Sequence, residues 1–196
     1  MQQTFIFFGR SGSGKGTQAE MLNKYLFEKK GIEPIYIETG RKFRAFTDQS
    51  NYSAQLTKEV MSAGGLMPVF LPIWLWTTDI VNKFDGKRDL ILDGLCRRPD
   101  EAPVLDSAIK FFKLSKPFIF FIKTSDSWSA EHLKARGRAD DTDEYIKSRL
   151  DWFEWNVVPA MSYFHQNPEY NFFEINGEQS IEDVHKEIIA KIESLN

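Results

Sequence analysis

A single cysteine, Cys96, stands in the 196 residues, which excludes an internal disulfide and a cysteine-built zinc site. An excess of basic charge is lacking too. The net charge is −3 and the pI is near 5.7, so nothing points to nucleic acid as a partner, and an anionic ligand has to be held by a local cluster of basic groups. No apolar run is long enough to span a bilayer: the longest, Met67 to Trp76, is interrupted by Pro68 and Pro72. No membrane partner is therefore expected. The first residues, Met-Gln-Gln-Thr, offer neither a basic n-region nor a small-residue cleavage site. They do not read as a signal peptide, and the expected compartment is cytoplasmic. Internal repeats and low-complexity tracts are absent as well.

What is present suits one domain over residues 1–196 with a sizeable core. The 17 Phe and five Trp are expected mainly inside it. Short apolar runs alternate with helical periodicity along the chain. Thr4–Phe8, Pro34–Ile37, Asp89–Asp93, Pro117–Ile122 and Asn171–Ile175 read as strands. Helices are expected from Lys15 to Lys30, from about Pro99, which fits the first turn of the next helix, over Ser127–Arg136, over Asp141–His165 and over Ser180–Leu195. Asp141 is the expected cap of the long one, with Glu144 three residues on as in a capping box. Residues 41–84 contain no convincing strand and read as two or three helices broken at Gly64-Gly65 and near Pro68. Strands separated by helices imply an α/β fold, a parallel sheet covered on both faces.

The chemistry is concentrated in Gly9-Arg-Ser-Gly-Ser-Gly-Lys-Gly-Thr17. Gly9, Gly14 and Lys15 match the spacing of a P-loop, between an apolar strand and an amphipathic helix, which is the context this motif requires. Glycines let successive N–H groups of Gly12, Ser13, Gly14 and Gly16 turn inward on phosphate oxygens, and the helix N-terminus adds its positive dipole end. Lys15 is expected on the β- and γ-phosphates of ATP, with the Thr17 hydroxyl nearest the Mg²⁺ position.

Gly12 to Gln18, Gly-Ser-Gly-Lys-Gly-Thr-Gln, resembles the signature of adenylate kinase and related nucleoside monophosphate kinases. Further stretches resemble that family in order: Thr39-Gly40-x-x-x-Arg44, Gly65-Leu66-Met67-Pro68, Asp93-Gly94-Leu95-Cys96-Arg97, and Arg136-Gly-Arg138-Ala-Asp140-Asp141 followed by Arg149. The resemblance covers nearly the whole chain. It implies a P-loop NTPase-type three-layer α/β/α fold with a five-stranded parallel sheet, a helical insertion at 38–84 that binds the acceptor, a short lid at 126–141, and a monomer. It also implies transfer of the γ-phosphoryl group of MgATP to a nucleoside monophosphate. Lys15, Arg97, Arg136, Arg138 and Arg149 would carry catalysis. Thr39, Gly40, Arg44, Leu66, Met67, Gly94, Arg97 and Glu101 would hold the acceptor. His132, where relatives carry an arginine, would stack near the ATP base, and Gln179 would complete the ATP side. Asp93 would act on Mg²⁺ through water. Arginine suits these positions because it stays charged and grips phosphate with two parallel N–H bonds.

The sequence departs from the family in places. Arg10 and Ser11 replace a small residue and proline, which bears on loop rigidity more than on phosphate contact. Arg41 replaces the acid of Thr-Gly-Asp, a change of sign that touches metal handling or the acceptor. Leu95-Cys96 replaces Phe-Pro, and Cys96 reads as a small buried residue rather than a nucleophile. Glu101 stands where a glutamine usually reads adenine. An ionised carboxylate only accepts hydrogen bonds, which suits the two N–H donors of guanine, yet Pro99-Asp100-Glu101 is also an ordinary acidic first turn of a helix. GMP, UMP, CMP or dTMP as acceptor, another small-molecule P-loop kinase of thymidylate or shikimate type, and an ATP-binding sensor with little catalysis stay open as alternatives.

Overall fold

A computed structural model describes residues 2–114, 116–137 and 141–195. Five parallel strands form one sheet in the order β2-β3-β1-β4-β5: β1 Thr4–Gly9, β2 Ile35–Glu38, β3 Leu90–Asp93, β4 Phe118–Lys123 and β5 Asn171–Asn176. β1 lies at the centre, its six residues all buried. It is paired with β3 through Thr4↔Leu90 to Phe7↔Asp93 and with β4 through Phe5↔Phe118 to Gly9↔Ile122. Parallel strands need both faces covered, which is why their sequences are apolar without alternation.

The covering helices are α1 Lys15–Lys30, α5 Glu101–Phe111, α8 Val158–His165 and α9 Ile181–Glu193. One face packs Phe5, Phe7, Phe118 and Phe120 under α1 and α9, around Leu22, Leu26 and Ile188. The other packs Ile6, Phe8, Leu90 and Ile119 under α5 and α8, around Leu105 and Phe164. The two clusters make the three-layer arrangement expected from the sequence, and each strand is within a residue of its expected bounds at either end.

Between β2 and β3 run α2 Thr39–Thr47, α3 Tyr52–Ser62 and α4 Phe70–Lys83. Phe43, Phe46, Ala54, Met67, Leu71 and Leu75 form a small core of their own. Trp76 and Ile80, later on α4, belong instead to the main core. The breaks fall where Gly64 takes a left-handed backbone at φ +65° and before Phe70, past Pro68.

After β4 come α6 Asp126–Arg136 and α7 Asp143–Trp152. Three expectations need correction here. Thr142, not Asp141, caps α7, its hydroxyl accepting from Tyr145 N. Asp141 is drawn elsewhere, to arginines. The expected single helix to His165 is interrupted by a π-helical turn at Phe153–Val157, which inserts a residue and rotates the faces that Trp152 and Phe164 present. α5 begins at Glu101, two residues after Pro99, which lies in the preceding turn. Arg138 and Asp140 lie outside the described residues. Among the described residues, no helix is long and apolar enough to cross a membrane.

Candidate active site

The carboxyl ends of β1, β2 and β3 open into one cleft of about 510 Å³, where ligands of open α/β sheets bind. The loop from Gly9 to Gly14 forms one wall. Gly12 has φ +85°, and a Cβ there would lie 2.3 Å from Ser129 O on α6, so only glycine fits. Gly14 caps α1 in a left-handed conformation at φ +83°. The turn closes through Ser13 N donating to Arg10 O at 3.1 Å. Ser13 itself is buried, with its Oγ lacking a hydrogen-bond partner.

Lys15 Nζ donates to Arg10 O across the loop at 3.2 Å. Burial lowers its pKa to about 8, partly offset by the nearby Asp93 carboxylate. Arg10 points away from the cleft. Its guanidinium donates to Asp126 at 2.7 Å, to Glu154 and to Thr124 O, and lies 4.6 Å over the Phe153 ring. The cation at position 10 therefore pins the loop to the start of α6 and to the π turn, a rigidity that proline would otherwise supply through its fixed φ.

Asp93 ends β3 at 4% exposure. Its Oδ2 accepts from Tyr36 OH at 3.1 Å, while Oδ1 is buried without a hydrogen-bond partner. Burial pushes its carboxyl upward against the pull of Lys15. A Cβ on Gly16 would come within 3.3 Å of Oδ2, which places this carboxylate against the first turn of α1, where Thr17 also lines the cleft. An unpartnered carboxylate oxygen in a cleft that a threonine also lines is a donor set that suits a hydrated, phosphate-bound Mg²⁺.

Among the described residues, five arginines line the same cleft as Lys15: Arg41, Arg44, Arg97, Arg136 and Arg149. Arg97 follows the β3 turn and donates Nε to Gly94 O at 3.0 Å. Burial lowers its pKa, opposed by Glu101 and Asp93. Arg136 from α6 holds Asp141 through two bonds of 2.9 and 2.7 Å, and Arg149 from α7 joins the same carboxylate at 3.0 Å. Asp141, whose side chain is fully buried, thus draws both cations to one point. Arg44 on α2 donates to Glu38 at 2.9 Å.

On the side of α2 and α5, Leu66 and Met67 line the cleft with Thr39, Gly40 and Glu101. Their loop is held by Arg98, which donates Nε to Met67 O at 2.8 Å and NH2 to Leu66 O at 3.1 Å. Gly94, at φ +68°, is the turn after β3 where Arg97 folds back. Glu101 is 1% exposed. Its Oε1 accepts from Arg97 N and Arg98 N, both at 3.1 Å, and its Oε2 accepts from the Trp76 indole at 3.3 Å.

His132 lines the cleft and stacks on Trp128 with centroids 4.4 Å apart. Gln179 does not line it. Its amide donates to Asn176 O and to Glu187 on α9. Cys96 is fully buried, as expected, and burial pushes its thiol well above the ordinary range. The sequence reading missed Glu38, Tyr36, Arg98 and Trp76. For Glu38, the signal was its place at the carboxyl end of a parallel strand, immediately before Thr39-Gly40.

Fold and cleft together define a P-loop phosphotransferase that uses ATP. The family model for adenylate kinase matches residues 7–169. The chain is 30% identical to an adenylate kinase of Azobacteroides pseudotrichonymphae genomovar. CFP2 over 192 residues, covering 96% of each chain. It is 29% identical to that of Leuconostoc mesenteroides over the full length of both, and 32% identical to adenylate kinase 1 of Synechocystis sp. over 184 residues, 94% of each. The chain belongs to the adenylate kinase family.

Proposed function

We propose that the protein transfers the γ-phosphoryl group of MgATP to AMP, yielding two molecules of ADP. The convergence of Lys15, Arg97, Arg136 and Arg149 on one cleft, opposite Arg44, carries this reading. Phosphoryl transfer needs in-line positioning and neutralisation of charge on the transferring group, and little else from the protein. In this reading the loop backbone and Lys15 hold the donor phosphates, and Arg44 and Arg97 hold the acceptor phosphate. Arg136 and Arg149, supported by Asp141, lie over the group in transit. The attacking atom is already an anionic phosphate oxygen, so no general base is required. Thr17 and Asp93 would hold Mg²⁺ with its waters; when bound, the ion neutralises charge on the donor phosphates.

The three-helix region at 38–84, with its separate small core, is suited to close over the acceptor. The α6–α7 lid at 126–141 is suited to close over the donor. Closure excludes the water that would hydrolyse ATP. Arg138 is assigned to the lid on the family pattern alone.

Adenine is favoured over guanine by the state of Glu101. Embracing the two N–H donors of guanine takes two free carboxylate oxygens, and Oε1 is already occupied by two backbone N–H groups. What remains on Oε2, beside the Trp76 indole, suits a single donor such as the adenine amino group. A coupled ADP-formation assay with AMP, GMP, CMP, UMP and dTMP tests this assignment. AMP is expected to give the highest kcat/KM, and equal or faster turnover of GMP would overturn it.

A further inference from the structure

Glu38 is the last residue of β2, in register with Asp93 on the neighbouring strand. Both side chains reach the same cleft, and two carboxylates so placed repel each other unless cations intervene. Two cations do. Glu38 Oε1 accepts from Arg44 NH2 at 2.9 Å, and Oε2 is ion-paired with Arg41, 3.0 Å from its Nε. The Glu38 side chain is only 19% exposed, and that of Arg44 is 41% exposed.

A carboxylate and a phosphate present the same pair of acceptor oxygens to a guanidinium. The Glu38–Arg44 pair therefore has the form of an arginine–phosphate contact, with a side chain in the place of the ligand. Arg41 is differently engaged. Besides its ion pair with Glu38, it donates to Glu20 on α1 at 3.1 Å and lies 5.7 Å from the Tyr36 ring centroid, contacts that Arg44 does not share.

We propose that Glu38 is a positioning residue that competes with the acceptor: it pairs with Arg44, and an incoming monophosphate takes Arg44 while Arg41 retains the Glu38 carboxylate. This rests on the acceptor reading above. It gives the cation at position 41 a purpose where the resemblance implies an acid, because Arg41 is what allows Glu38 to let go of Arg44 without leaving a bare carboxylate beside Asp93. The exchange also sets a threshold. A ligand lacking a strongly anionic phosphate, such as a nucleoside, does not displace Glu38.

The test is calorimetric titration of AMP, without ATP or metal, into wild-type protein and variants whose folding is checked by thermal melting. Glu38→Gln is expected to tighten AMP about two- to fivefold, the size of one partly exposed ion pair. Arg41→Gln is expected to weaken it, since Glu38 then holds Arg44 alone. In an Arg44→Ala background the gain from Glu38→Gln should vanish. Persistence of the full gain there would reduce Glu38 to a general charge effect and overturn the exchange, as would unchanged affinity in Glu38→Gln itself. Failure of AMP to bind the wild-type protein would remove the acceptor reading and the exchange with it. Unchanged affinity in the variant removes the exchange alone.

Discussion

The indole Nε1 of Trp76 donates to Glu101 Oε2 across 3.3 Å, both residues being buried. Trp76 comes from the helix α4 and Glu101 from the first turn of α5, so this contact joins the helical region between β2 and β3 to the helix that follows β3. Trp76→Phe removes the donor and leaves a buried carboxylate oxygen short of a partner. The expected loss is about 1–3 kcal/mol of stability, measured by denaturant unfolding, together with a raised KM for the acceptor.

Burial raises the Glu101 pKa above its ordinary 4.5, against the pull of Trp76 and Arg97. A carboxyl whose folded pKa exceeds its unfolded one favours the folded state most when protonated. Its contribution is therefore full below the unfolded value and is lost as pH rises through the folded one. Glu101→Gln should flatten that part of the stability–pH curve, from about 4.5 upward, in thermal melts of the two proteins across the acid range.

Lys15 works in the opposite sense. Its pKa of about 8 lies below the ordinary 10.5 because burial desolvates the ammonium. As pH rises through about 8 the folded protein loses this proton while the unfolded chain keeps it, so this group adds stability between about 8 and 10.5. ATP binding needs the charge and should weaken over the same range, approaching about tenfold per pH unit above the pKa. Titration of ATP at increasing pH reads this directly. Lys15→Ala should remove the pH dependence and lower kcat by about a hundredfold or more.

Gly12 and Gly14 share a left-handed backbone but not their surroundings. A methyl at Gly14 meets nothing within 4 Å, whereas at Gly12 it meets the Ser129 carbonyl. Gly14→Ala should cost only the backbone preference, about 1–2 kcal/mol. Gly12→Ala has to displace α6 as well, and should cost more and loosen ATP binding. Thermal melts of the ligand-free variants order the two.

Arg10→Ala should cost about 1 kcal/mol, because Asp126 and Glu154 are more than half and about half exposed and most of the gain comes from the Phe153 face and the Thr124 carbonyl. A chain of this length responds with a fall in Tm of about 2–4 °C.

Features local in sequence were legible before the fold was known. The P-loop is contiguous, so Gly12, Gly14 and Lys15 announce both their conformation and their ligand. Buried parallel strands are unbroken apolar runs, and all five stood out. The arginines were legible only through the family pattern, since a single arginine in a helix carries no mark of the cleft it faces. Asp141 shows the limit most clearly. Its position before an acidic turn suits a helix cap, but two guanidiniums five and eight residues away outbid the backbone N–H groups, and Thr142 caps instead. Arg98 acts on Leu66 and Met67, partners brought near by folding alone, whereas the arginines of Glu38 lie three and six residues along the chain and nothing in their spacing marks the contact. Gln179 lies next to the expected donor side, yet α9 offers it Glu187.

The central claim concerns where the phosphoryl group goes. Incubating the protein with Mg²⁺, AMP and ATP labelled in its γ-phosphoryl group, then separating the nucleotides, follows it directly. Label is expected in the β-phosphoryl group of ADP, formed one for one with ATP consumed and abolished by Lys15→Ala. Label recovered only as inorganic phosphate, at a rate indifferent to AMP, would contradict the account.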